Sequence, residues 1–333
     1  MNSLNKDCVQ VGIRGVGSYL PHKILKNSDL EKMVDTTDEW IKKKIGISER
    51  RIADNEETVE FMALEAAKEA LCSAKISIPD IDAIIATSIS YERKVPVLSN
   101  RIAQLLGRKD LMCLDVNVGG CCNLMAAMIT AKKFIDGKSI KKVLCVASDK
   151  NSAFINWKDR STCVIFGDGA SCVILDTLEQ NKGIIYTSLK GKYSEALLLP
   201  TAQIPGNEDT FLKMKGKEIF DFATENAVKA VIDACNGINI DKNDIDYFVF
   251  HQANKNIINV IMEKLDVNKD KTYTVIDKYG NTTGSSVGIA LNEVVKQKKI
   301  KQGDLVALVA LGGGLNWSVI LLKWNEIQSF IAK

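Results

Sequence analysis

The chain has 333 residues, 46% of them hydrophobic, enough for a large core and for two packed units or one duplicated domain. Its formal net charge is +3, with 44 basic and 41 acidic residues interspersed, which argues against nucleic acid as the main ligand. No signal peptide is read in MNSLNKDCVQVGIRGVGSYL, and no stretch approaches the roughly 18 apolar residues that span a membrane, so a cytoplasmic protein without membrane partners is expected.

Taken in chain order, the periodicity predicts a helix over Val59–Ala74, a strand over Ala83–Thr87, a helix over Asn123–Phe134, and strands over Val143–Ala147 and Ala170–Leu175. The second part of the chain predicts a helix over Ile219–Ala234, a strand over Tyr247–His251, helices over Ile257–Leu265 and Ser286–Lys296, and strands over Val306–Leu311 and Val319–Leu322. Strand-length apolar runs alternating with longer helical patterns read as α/β.

An internal repeat organises these elements. EAAKEALCSAKI leads to SIPDIDAIIATS, and AVKAVIDACNGI leads to NIDKNDIDYFVFHQA. Each half continues with a second helix, a loop of small residues, a third helix and a strand. A match of this length in the same order reads as duplication. Two halves are expected, 1–178 and 179–333, each with a mostly parallel sheet flanked by helices and sharing one interface.

Nine cysteines occur with no CxxC spacing, and there are two histidines. No metal site or disulfide framework is expected; reduced thiols fit better, with Cys145 and Cys172 as small core hydrophobes. Duplication also makes equivalent loops meet near a pseudo-twofold axis. Cys121 opens the helix near Asn123, Asn281 lies on the equivalent loop before Ser286, and His251 ends an apolar strand. A helix N-terminus favours a thiolate, and an imidazole with a side-chain amide can stabilise an oxyanion or enolate. Each residue also has a bland reading. Cys121 would be a packed turn residue, His251 a satisfied strand end and Asn281 a turn former. FGDGAS (166–171) and LGGGLNW (311–317) lack the Lys-Ser/Thr ending of a phosphate loop and read as tight turns between strands. The glycine run still permits backbone N–H groups to approach a substrate.

From Val11 to Trp324 the chain resembles β-ketoacyl-[acyl carrier protein] synthase III, of the thiolase fold. The likeness is carried by GSYLP (17–21), DTTDEWI…GISERRIA (35–53), ETV (57–59), DRSTCVIFGDGAS (159–171), MKGKEIF (214–220), HQAN (251–254), YGNTTGSS (279–286) and LGGGLNW (311–317). It implies a thiolase-like duplicated fold, two similar halves with stacked mixed sheets and helices between and outside (αβαβα). It also implies a ping-pong condensing acyltransferase of fatty acid initiation. Acyl-CoA, a substrate rather than a cofactor, would acylate Cys121; decarboxylation of malonyl-acyl carrier protein would then supply the carbanion for a 3-oxoacyl product.

By the same resemblance, His251 and Asn281 stabilise the thioester oxygen, Trp40 and Arg160 sandwich the coenzyme A adenine, and Asn254 lines the pantetheine channel. Gly216 and Gly313 complete the coenzyme A contacts, and N–H groups of Cys121 and glycines 312–314 form an oxyanion hole. A homodimer is implied, paired through a continuous sheet.

Several positions depart from the family's pattern. DVNVGGC (115–121) is one residue longer than usual, although Leu124, Met128, Ala131 and Phe134 keep the apolar register only with Cys121 as nucleophile; Cys122 is the alternative. Leu311 replaces a usual Phe, Asn256 a carrier-docking Arg, and Lys44 an Arg. The loop YERKVP (91–96) is longer, with Val95 where an aromatic often caps the partner's acyl pocket. The second reading is therefore a pathway-dedicated relative making a quinolone, resorcinol, ester or similar product. A non-catalytic subunit is the third.

Overall fold

The structure, a computed structural model, describes residues 9–179, 182–200, 210–325 and 327; Cys8 lies outside them. The first sheet contains Gln10–Tyr19 (β1), Ala83–Thr87 (β2), Met112–Asp115 (β3), Val143–Asp149 (β4) and Gly169–Leu178 (β5), in spatial order β1-β5-β4-β2-β3. The second contains Gly183–Ser194 (β6), Tyr247–Phe250 (β7), Leu305–Gly312 (β8) and Gly314–Lys323 (β9), in order β7-β8-β9-β6. Both run the same way: β4 is parallel to β2 and antiparallel to β5, as β8 is parallel to β7 and antiparallel to β9. Where β3 pairs beside β2, the second sheet keeps only a parallel bridge, Phe248 to Thr272. The sheets are thus mixed, not mostly parallel as the element order suggests. The β8–β9 connection is a tight turn at Gly313, and so short a link can join only antiparallel strands.

Alternation along the strands assigns the layers. In β4, Val143, Cys145 and Ala147 face inward, while Leu144 and Val146 face outward. In β8, Val306, Leu308 and Ala310 face inward, while Ala307 and Val309 face outward. The helices can be numbered α1 (Asp38–Lys44), α2 (Val59–Ala74), α3 (Leu98–Leu105), α4 (Asn123–Asp136), α5 (Gly216–Ile238), α6 (Lys255–Lys264) and α7 (Ser286–Lys296). Helices α4 and α7 lie between the sheets, α2 and α3 cover the first sheet, and α5 and α6 cover the second. This is a five-layer αβαβα arrangement, the thiolase-like architecture.

Helix α2 shows how sequence sets one layer. Thr58 caps it by accepting from the Phe61 N–H at 3.2 Å, and Lys75 ends it in the left-handed conformation at φ 54°. Its buried face is rich in alanine (Ala63, Ala66, Ala67, Ala70), so β1 lies close against it. A Cβ at Gly15 would stand 2.4 Å from Ala70 O, and one at Gly17 would stand 2.3 Å from Ala66 O.

The predicted helices are present, two with earlier starts: α5 begins at Gly216, and α6 at Lys255 behind an Asn254 cap. Strand β7 stops at Phe250, so His251 stands just beyond it. LGGGLNW is a strand turn as expected. FGDGAS is not: it joins the short helix Arg160–Cys163 to β5, and its Phe166 bridges to Asn281. Cys145 and Cys172 are fully buried, and the described cysteines are free thiols.

Candidate active site

Cys121 precedes α4 at the end of a turn formed by Gly119 (φ 91°) and Gly120 (φ 102°). The Asn123 side chain shapes that turn, its Oδ1 accepting from the N–H groups of Val118 at 2.9 Å and Gly120 at 3.2 Å. Cys122 takes the cap position and packs into the inter-sheet core, whereas Cys121 faces a cavity.

The equivalent loop before α7 carries Asn281. Its backbone is held on both sides: its N–H donates to Ile165 O at 2.9 Å, and its carbonyl accepts from Gly167 N at 3.0 Å. The two loops touch, since a Cβ at Gly284 would lie 3.1 Å from Gly120 O. Asn281 Oδ1 accepts from Thr283 N at 2.9 Å, and its side chain favours ionisation of the Cys121 sulfur.

His251 is placed by its N–H, which donates to Val309 O at 2.8 Å across the parallel β7–β8 pair. Its Nδ1 meets the Ser286 hydroxyl at the start of α7, and that oxygen also accepts from Gln252 N at 3.3 Å. A hydroxyl can donate as well as accept; with the serine hydrogen on Nδ1, the ring carries its own hydrogen on Nε2, as a donor. Burial drives the imidazole down to about 3, so it is neutral at physiological pH.

Burial pushes the Cys121 thiol up to about 12, and the charge of Asp149 acts in the same direction; its own N–H and the Asn281 amide oppose both. A rise from 9 to 12 is roughly 4 kcal/mol, while a helix end contributes about 0.3–1 and at most ~2 kcal/mol. Desolvation wins, and Cys121 rests as a thiol rather than the thiolate that its place at a helix start suggests.

Cys121, His251 and Asn281 line one cavity of about 340 Å³. Its walls are apolar and include Ile165, Phe220, Leu311 and Leu315. Trp40, Arg160, Asn254 and Gly216 also line it. The Arg160 guanidinium stacks on the Trp40 ring at 5.0 Å and donates to Asp35 O at 2.8 Å. A flat base between them needs two contacts of about 3.5–4.0 Å, so the pair must part by about 2–3 Å to admit one. Asn254 Oδ1 caps α6 by accepting from Asn256 N at 2.8 Å, and its amide donates to Lys44 O at 3.2 Å. Asn256 donates to Lys43 O at 3.0 Å and to Lys44 O at 2.9 Å, stitching α6 to the end of α1. Gly313 does not line the cavity; a Cβ on it would stand 2.7 Å from Gly119 O. Gly312 does line it.

Comparison with known proteins now bears on this arrangement. The family model described as 3-Oxoacyl-[acyl-carrier-protein (ACP)] synthase III matches residues 114–192, and its C-terminal model matches residues 235–324. The Beta-ketoacyl-[acyl-carrier-protein] synthase III 1 of Bacillus anthracis is 38% identical over 318 residues, 96% of this chain and 100% of that protein. The chain belongs to the 3-oxoacyl-[acyl-carrier-protein] synthase III family. It is therefore a condensing acyltransferase on the thiolase fold. The crystal structure of 3-oxoacyl-[acyl-carrier-protein] synthase III from Aquifex aeolicus VF5 superposes with a TM-score of 0.89 at 37% identity, covering 94% of this chain and 100% of that one. The priming beta-ketosynthase from the R1128 polyketide biosynthetic pathway superposes at 0.90 with 27% identity, covering 96% and 98%.

Sequence reasoning missed the supports of this candidate site. Ser286 orients His251, and Asp149, at the end of β4, gathers the surrounding loops. Their signals are the serine pair in GNTTGSS and the polar SD ending an apolar strand. Among the described residues no cluster of His, Cys, Asp and Glu could hold a metal ion, and no helix is long and apolar enough to cross a membrane.

Proposed function

We propose that this cavity is where acyl-CoA transfers its acyl group to Cys121 and where malonyl-acyl carrier protein is then decarboxylated and condensed. The observation that carries the reading is the convergence of Cys121, His251 and Asn281 on one apolar cavity whose mouth holds Trp40 and Arg160. In the first half-reaction the Cys121 sulfur bonds to the acyl carbon, the carbon–sulfur bond to coenzyme A breaks, and the thiol proton leaves on the coenzyme A sulfur. In the second, malonyl-acyl carrier protein loses CO₂ and the freed electron pair forms an enolate. Nε2–H of His251 and the Asn281 amide donate to its oxygen. The enolate carbon then bonds to the acyl carbon and displaces the Cys121 sulfur, which regains a proton. Acyl-CoA enters as substrate, and no cofactor is needed. Trp40, Arg160, Asn254 and Gly216 serve coenzyme A, and Gly312 with the Cys121 N–H serves the thioester oxygen; Gly313 acts by holding Gly119.

Intact-mass measurement after mixing with acetyl-, octanoyl- and aryl-CoA tests this. One acyl adduct on Cys121, consumed by malonyl-acyl carrier protein, is expected; no adduct with any donor would refute it. Similarity to the R1128 priming ketosynthase favours a second reading, a pathway-dedicated condensing enzyme. The 38% identity to the Bacillus anthracis protein, against 27%, favours fatty acid initiation. Preference for an aryl or long-chain donor would reverse that order.

The same reading includes a cytoplasmic homodimer with halves at 1–178 and 179–333. Free thiols on the described cysteines suit a reducing compartment. Strand β3 is the edge of its sheet with all four residues half-buried, and Val95 nearby in the chain is 85% exposed. Two such edges pairing antiparallel would continue the sheet and bury that side chain. The proposed boundary falls between β5 and β6.

A further inference from the structure

Asp149 is fully buried at the end of β4, and two segments distant in sequence converge on it. Its Oδ1 accepts from Ile89 N at 2.8 Å, Ser88 Oγ at 3.1 Å and Ser90 Oγ at 3.3 Å. Its Oδ2 accepts from Thr283 Oγ1 at 2.6 Å. Nothing in the acyl-transfer chemistry described above uses this carboxylate. Asn151 joins it: Oδ1 lies 3.3 Å from Thr283 Oγ1, and the amide reaches Gly167 O at 2.5 Å and Asn281 O at 3.5 Å.

Thr283 is the link to the chemistry. It is β-branched yet sits at φ 50°, a left-handed conformation that such a residue adopts only when its surroundings impose it. In that conformation its N–H reaches Asn281 Oδ1 at 2.9 Å. With Oδ1 engaged by that N–H, Nδ2 is the end left for Cys121, whose ionisation the Asn281 side chain favours. The flipped amide would set its NH₂ against the Thr283 N–H, two donors face to face. It would also present an oxygen where a negative charge develops.

We propose that Asp149 and Thr283 are positioning residues: the Asp149 carboxylate holds the Thr283 hydroxyl, and Thr283 N–H fixes the Asn281 amide with its donor toward the reacting sulfur and enolate. This rests on the active-site reading above and extends it by two residues that touch no substrate. Without the hydroxyl anchor, Thr283 relaxes from the left-handed region, its N–H swings away and the amide is free to rotate. Decarboxylation suffers, because it needs the amide donor. Acyl transfer is largely spared.

The test is a double-mutant cycle read on two half-reactions, self-acylation by acetyl-CoA and condensation with malonyl-acyl carrier protein. Thr283→Val should keep acylation within about threefold and lower condensation roughly 10–100-fold, the scale of a misplaced catalytic group. Thr283→Ser, which keeps the hydroxyl, should retain condensation within about threefold of the unmodified rate. In an Asn281→Ala background, Thr283→Val should cost less than about threefold more, because it acts through a side chain already removed. Thr283→Ala, which also removes the hydroxyl but adds no second branch at Cβ, covers the case in which the valine variant does not fold and should show the same selective loss. Equal losses in both half-reactions, or multiplicative losses with Asn281→Ala, overturn the positioning role alone. Undiminished condensation by Asn281→Ala overturns the active-site reading and the positioning role with it.

Discussion

Gly312 and Cys121 press against each other: a Cβ added to Gly312 would lie 2.8 Å from Cys121 Cβ and 3.0 Å from its backbone nitrogen. Any side chain at 312 must displace either the β8–β9 turn or the cysteine. Gly312→Ala should therefore lower self-acylation by at least about 10²-fold, as for a shift of roughly 1 Å in a reacting group. Far-UV circular dichroism should remain native; an alanine variant acylated at the normal rate would contradict this packing.

Cys121 and Cys122 are chemically alike but face different surroundings, one the cavity and the other the inter-sheet core. Cys121→Ser should abolish acyl-enzyme formation, and Cys122→Ser should keep most of it. Peptide mapping of the acyl label decides between them, and a label on Cys122 would reverse the assignment.

A thiol held up to about 12 ionises tenfold more for each pH unit across the accessible range. The iodoacetamide rate at Cys121 should climb about 100-fold from pH 7 to pH 9 without a plateau. A rate already flat above pH 7 would mean a preformed thiolate.

His251 is depressed to about 3 in the fold and returns to its ordinary value near 6.5 on unfolding. Its contribution is complete above pH 6.5 and is lost as pH falls toward 3, because the unfolded chain binds the proton first. Between pH 6.5 and 4.5 the chain should lose roughly 2–3 kcal/mol through this residue. Urea denaturation of wild type and His251→Gln at both pH values measures it, and equal slopes would remove histidine as the cause.

Val95 is exposed in a single chain, so any influence on acyl length must act in a partner's pocket. Each methylene buried in an apolar pocket contributes about 0.8 kcal/mol, so two extra ones favour a longer chain about tenfold. Val95→Phe should shift kcat/KM back toward acetyl-CoA relative to octanoyl-CoA. A wild type that already prefers acetyl by a wide margin would end this reading.

Much of the arrangement was legible because the repeat put Cys121 and Asn281 at equivalent places and His251 at a strand end. Strand β1 was not, since Gly12, Gly15 and Gly17 read as breakers although the latter two answer to the nearness of α2. Strand β6 is an edge with Lys190 and Lys192 on a half-exposed face, so it lacks an apolar run. The Asp149–Thr283 bond joins residues 134 positions apart, and local pattern carries no trace of it. Burial of the Cys121 sulfur, which reverses the expected ionisation, likewise belongs to the tertiary structure.

The helices between the sheets, α4 and α7, have a bearing on how the molecule comes apart. Met125 and Met128 of α4 share one apolar cluster with Val306, Leu308 and Ile320, while Val287 and Leu291 of α7 share it with Val11, Ile13 and Val143. Each repeat thus completes its inner layer with residues of the other, and neither can melt by itself without baring the common seam to water. Heating should give a single calorimetric transition for the whole chain, and the two repeats expressed as separate fragments should fold only when mixed.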